Sequence, residues 1–174
     1  TVQDLFTHTS GLSYGWFNDT PVDEIYRSSG INPATLVLGD FVKQLATFPL
    51  VFQPGCGWRY SYATDVLGHL VEVIAEESLN SFFETRIFKP LGMTDTSFGI
   101  SSQKAARLTT VYSPTASPAF GMDSSALTAE TGIFPIDSPQ KSRFVDPAIP
   151  VTGGAGGGGL VSTMSDYLKF ASML

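Results

Sequence analysis

Tyr60 ends an extended, aromatic-rich piece that follows the Pro54-Gly55 turn and runs into an amphipathic helical pattern. A side chain at such a loop-to-helix corner can be held rigidly and still face a cleft. A tyrosine held that way can pass a proton where neighbouring positive charge lowers its pKa. Packing is the competing reading, since aromatic residues ahead of a helix commonly join the core.

Other strings in the chain look chemical and are better read as structure. Gly11-Leu12-Ser13-Tyr14-Gly15 has the spacing of a nucleophile elbow. That elbow needs a buried strand before the serine and a helix directly after it, and neither pattern is present. Gly154–Gly159 contains a literal G-x-G-x-x-G, but no strand pattern precedes it and the chain ends before an acidic partner could follow. Two S-x-x-K strings occur, Ser101–Lys104 and Ser138–Lys141. In the first, Ser102 reads as the cap of a short helix reaching about Leu108; in the second, Pro139 spoils the helical spacing that would bring amine to hydroxyl. His8 and His69 are the only histidines and Cys56 the only cysteine, so neither a metal site nor an internal disulfide is expected.

The elements that must hold Tyr60 are mostly helical. Thr1 and Asp4 suit the cap of a short opening helix, and residues 7–34 read as loop. Leu38, Phe41, Val42 and Leu45 form a helical stripe that Pro49 ends. Val66, Leu67, Leu70, Val71 and Ile74 form a second. Leu79, Phe82, Phe83 and Ile87 form a third, stopped by Pro90 and Gly92. From Tyr112 to Pro150 the periodicity dissolves, which suggests a long functional loop or an insertion. Leu160–Thr163 reads as extended, and Ser165 as the cap of a last helix with Tyr167, Phe170, Ala171 and Leu174 on one face.

The chain has 174 residues, 43% hydrophobic and 15% charged, with 13 Phe, which is enough for one globular core. A net charge of -6 without a Lys/Arg cluster argues against a nucleic-acid partner. No apolar run is long enough to span a bilayer. The chain starts at Thr1 without Met and stops at Leu174 inside a helical pattern, so an internal piece of a longer protein is expected, with compartment and oligomeric state open.

Four blocks together resemble one family. TVQDLFTHTSGL at 1–12, FQPGCGWRYSYATDVLGHLV at 52–71, IFKPLGMTDTSF at 87–98 and GGGGLVSTMSDYLKFASML at 156–174 are similar, in order, to segments of the serine β-lactamase and penicillin-binding superfamily. Within it they look most like class C-related carboxylesterases. The resemblance implies an α+β, β-lactamase/DD-peptidase-like fold, of which residues 1–174 would be a partial domain: mostly the helical subdomain, without the catalytic sheet. It implies a serine hydrolase acting through an acyl-enzyme, without cofactor or metal, on a small-molecule ester or β-lactam-like substrate. Of the family's catalytic residues only the tyrosine carries over, onto Tyr60. The S-x-x-K region would precede Thr1 and the K-T-G or H-x-G strand would follow Leu174, so the 174 residues alone are expected to be inactive.

One position departs from the family motif. Tyr62 stands where β-lactamases and peptidases carry an Asn that pairs with a substrate amide. This favours an esterase over the alternative of a β-lactamase or D-Ala-D-Ala carboxypeptidase. A non-catalytic binding or scaffold module of the same fold is a further alternative. Tyr62, Tyr14 and Trp58 are the candidate substrate-binding residues, each with a competing role in core packing.

Overall fold

The computed structural model describes residues 1–32, 35–113, 134–147 and 159–174. The described parts of Thr1–Phe98 and Ile149–Leu174 form one compact unit, and those of Gly99–Ala148 a second.

The first unit is built from helices. α1 (Val2–Phe6) opens it with the expected reciprocal cap between Thr1 and Asp4. α3 (Leu38–Leu45) follows its apolar stripe inward, with Leu38, Phe41 and Leu45 at most 2% exposed. α4 (Ala63–Ala75) starts directly after the corner. α5 (Leu79–Phe83) continues through a π-helical turn, Glu84–Phe88, into α6 (Lys89–Leu91), which Gly92 ends in the left-handed conformation. The core is an aromatic and aliphatic cluster of Tyr14, Tyr26, Leu38, Phe41, Leu45, Tyr62, Leu79 and Phe98.

Two helices depart from the sequence pattern. Residues 7–34 are not all loop, because α2 (Pro21–Ser28) lies within them, capped by the Thr20 side chain and led by Pro21. Its buried residues are Asp23 and Tyr26, with Val22 packed against the core beside Tyr26; the apolar set Val22, Ile25 and Tyr26 is short and lies among the turn residues Gly15, Pro21 and Gly30. α7 (Met164–Ala171) is capped by Thr163 rather than Ser165. Its buried anchor is Asp166, which accepts from the Asp95 backbone N–H at 2.7 Å and the Thr96 hydroxyl at 3.1 Å. Polar anchoring replaces the expected apolar stripe, and Tyr167 and Leu174 are 64% and 91% exposed. The Leu160–Thr163 piece is extended as expected, with Val161 pairing antiparallel to Ser97.

In the second unit a 3-10 helix, Ser102–Arg107, is preceded by Ser101 at the cap position; the Asp146 carboxylate takes the Ser102 N–H at 3.1 Å. Where a long loop was expected, β1 (Val111–Ser113) and β2 (Phe134–Asp137) pair antiparallel. Pro135 within β2 cannot donate to a ladder, and it hid this short ribbon from a periodicity reading. Among the described residues no helix is long and apolar enough to cross a membrane.

α1, α4, α5, Phe98 and Leu160 border an apolar groove of about 550 Å³. Leu67, Leu70, Val71 and Ile74 of the α4 stripe line it, so the stripe is only half-buried and Ile74 is 75% exposed.

Candidate active site

The corner is assembled by pairing two stretches far apart in sequence. Backbone N–H groups of Val51, Gly55 and Arg59 donate to the carbonyls of Gly11, Thr9 and His8 at 2.8, 2.9 and 2.8 Å. The approach is close enough that Gly11, at φ +82°, admits no side chain: a Cβ there would sit 2.2 Å from the Phe52 carbonyl oxygen. His8 takes a left-handed φ of 55°, uncommon for a residue with a Cβ, and its ring lies beside the corner.

Tyr60 is 39% exposed. Its ring packs 4.8 Å from the His8 ring and 5.2 Å from the Tyr14 ring, both tilted. Trp58 meets the His8 ring edge-on at 6.2 Å and is otherwise open, at 68% exposure. Ser61 is wholly buried; its hydroxyl lies 3.4 Å from His8 Nδ1 and accepts from the Ala63 N–H at the first turn of α4. One solvent-facing tyrosine is thus held between an imidazole and a second tyrosine, on a peptide fixed from both sides.

The remaining candidates sit deeper. Tyr14 is 6% exposed, stacked on Trp16 at 4.2 Å and edge-on to Tyr62 at 4.4 Å. Tyr62 is 8% exposed, with Phe41 at 4.9 Å and Tyr26 stacked at 6.4 Å. Burial, reinforced by the negative charge of Asp65, pushes the Tyr62 phenol up to about 12. The same two causes push Tyr14 up; the Tyr60 phenol adds to them without meeting the Tyr14 hydroxyl in hydrogen-bonding geometry. Tyr14 and Tyr62 therefore stay protonated over the working pH range. Tyr60, Tyr14 and Trp58 gather around the corner, while Tyr62 contributes its ring to the aromatic cluster behind Tyr14.

Ser13 is wholly buried. Its hydroxyl donates to Asp23 Oδ1 at 2.6 Å and accepts from Arg59 Nε at 2.9 Å. The flanking glycines meet backbone constraints, Gly15 having φ +85° and a would-be Cβ 2.6 Å from the Tyr26 Cβ. The elbow-like spacing is thus a buried polar joint. His69 lies in α4, paired with Glu72 at 3.1 Å. Sequence reasoning missed Arg59, Trp16 and the contact of His8 with Tyr60; an arginine set between Trp58 and Tyr60, with acids at 19 and 23, was the available signal.

The family model described as Beta-lactamase matches residues 1–174. The chain belongs to the Beta-lactamase family. Protein Rv1367c of Mycobacterium tuberculosis is 34% identical over 99% of this chain and 38% of its own length. Esterase EstB of Burkholderia gladioli is 40% identical over 56% of this chain and 26% of its own. Among solved structures, EstCE1, a hydrolase with promiscuous acyltransferase activity, superposes at a TM-score of 0.65 and 29% identity, covering 96% of this chain and 43% of that one. The Beta-lactamase chain thus has the β-lactamase/DD-peptidase-like fold, here mostly helical with little strand, and spans about two-fifths of the length of the first of these relatives.

Proposed function

We propose that the complete protein is a serine hydrolase that works through an acyl-enzyme, as a carboxylesterase on small esters, with Tyr60 as its proton-transfer residue. The observation that carries this reading is the corner itself: a half-exposed tyrosine held by His8 and Tyr14 in a chain whose relatives include an esterase. A serine and a lysine outside these 174 residues complete the site. The serine oxygen attacks the ester carbonyl, its proton passes to the Tyr60 oxygen, and the phenol's own proton passes on to the lysine amine. Tyr60 returns that proton to the departing alcohol, and water then releases the acid. Trp58 offers aromatic surface to the substrate's apolar parts, and the buried Tyr14 backs the Tyr60 ring.

The test is a substrate panel on the complete protein with Tyr60→Phe beside it. A short-chain p-nitrophenyl ester should be turned over, and Tyr60→Phe should lower kcat by about 10²–10⁴ with little change in Tm. Near-normal kcat in Tyr60→Phe would remove Tyr60 from the chemistry. Efficient nitrocefin hydrolysis would favour the β-lactamase alternative, and no turnover of any ester, amide or β-lactam would favour a binding module.

A further inference from the structure

We infer that Arg59 is a positioning residue for Tyr60, acting through a clamp of Ser13, Phe17, Asp19 and Asp23; the inference rests on the proposed proton-transfer role of Tyr60. Every nitrogen of the guanidinium is engaged. Nε donates to Ser13 Oγ at 2.9 Å, Nη2 to Asp23 Oδ2 at 2.7 Å and Asp19 Oδ1 at 2.5 Å, and Nη1 to Asp19 Oδ2 at 3.3 Å. The Phe17 ring lies 4.6 Å from its central carbon. The side chain is only 12% exposed and Asp23 not at all. Arg59 also spends its backbone N–H on the His8 carbonyl, so this residue is fixed at both main chain and side chain.

Tyr60 is one peptide further on. The residues it packs against, His8 and Tyr14, stand on the same two segments that hold Arg59. Ser13 grips the arginine while its neighbour Tyr14 meets the tyrosine. One segment thus sets both the peptide that carries the phenol and the surface against which the phenol rests. Proton transfer is sensitive to such placement: a misplacement of about 1 Å can cost about 10²-fold. A planar fork with several anchored N–H groups suits this task, and an ammonium cannot copy it.

Because Arg59 acts through Tyr60, the two losses should not add. In the complete protein, with p-nitrophenyl butyrate as probe, Arg59→Met should lower kcat by about 10–10²-fold with KM little changed. In a Tyr60→Phe background the same change should cost less than about 2-fold. Should Arg59→Met not fold, Asp19→Asn takes its place, since Asp19 is the solvent-facing arm of the clamp at 58% exposure. It should lower kcat by about 3–10-fold with the same lack of additivity. Equal losses in both backgrounds would make the clamp merely structural, and no loss in either variant would also overturn the inference. Near-normal kcat in Tyr60→Phe alone would instead overturn the Tyr60 role, and this inference with it.

Discussion

The rings of Tyr14 and Tyr60 lie 5.2 Å apart at a 59° tilt, with Tyr14 sealed in the core and Tyr60 open to solvent. The Tyr14 hydroxyl has no hydrogen-bond partner among the described residues. A buried hydroxyl left unpaired costs about 1–3 kcal/mol. Tyr14→Phe keeps the ring and its stacking on Trp16, so Tm should hold or rise by a few degrees. A fall of that size, measured by differential scanning calorimetry, would mean that the hydroxyl has a partner in the complete protein.

Ser13→Ala separates a nucleophile from a joint. The variant strips one hydrogen bond from each of Asp23, which is buried, and Arg59, which is 12% exposed. Stability should fall by about 1–3 kcal/mol, read from urea unfolding. Labelling of the complete protein by a fluorophosphonate should persist if, as proposed, the attacking serine lies elsewhere. Loss of labelling in folded Ser13→Ala would place the nucleophile at Ser13.

Acid should loosen the same joint. Burial raises the Asp23 pKa, but hydrogen bonds from Ser13 and Asp19 and the positive charge of Arg59 outweigh it and hold the carboxyl below the usual range. With the folded pKa below the unfolded value of about 3.9, the stabilisation is complete above that value and drains away as pH falls through the folded pKa. Urea midpoints should drop steeply below about pH 4. Asp23→Asn should cost about 3–5 kcal/mol near neutrality, as for one lost partner of a buried pair, and should flatten the acid limb. An acid limb unchanged in Asp23→Asn would assign it to other carboxylates.

Local patterns were legible in the sequence, and polar contacts across long separations were not. α3 follows its stripe because Leu38, Phe41 and Leu45 repay burial directly. The corner at Tyr60 was visible because a Pro-Gly turn and a helical period bracket it. α2 had its local signals, the Thr20 cap, Pro21 and the Val22, Ile25, Tyr26 spacing, but only two turns of them between Gly15 and Gly30; the burial of Asp23 makes sense only once Arg59, 36 residues away, is beside it. The cap of α7 falls two residues before Ser165 because the Thr163 hydroxyl takes the Asp166 N–H, and the burial of Asp166 itself answers to Asp95, 71 residues earlier. An apolar period can be read from spacing alone; a buried charge depends on a partner that spacing does not name.

Tyr62 carries the remaining question of substrate class. Its ring lies behind Tyr14 with 8% of its surface exposed, so its effect on substrate would pass through the aromatic wall. Tyr62→Asn replaces a packed ring by a short amide, and stability should fall by about 3–5 kcal/mol, as for other large-to-small core changes. It also frees space beside Tyr14, through which the amide flanking a β-lactam or peptide bond would have to approach the new Asn to pair with it. An unpaired buried amide costs about 1–3 kcal/mol, or roughly ten- to a hundred-fold in kcat/KM. The unmutated complete enzyme should therefore prefer p-nitrophenyl butyrate over nitrocefin, and Tyr62→Asn should move the ratio toward nitrocefin. Tyr62→Phe, which keeps the ring, should leave the ratio where it was. If the ratio stays fixed in folded Tyr62→Asn, residue 62 has no part in choosing the substrate. Its ring then serves only the packing of Tyr14, Tyr26 and Phe41.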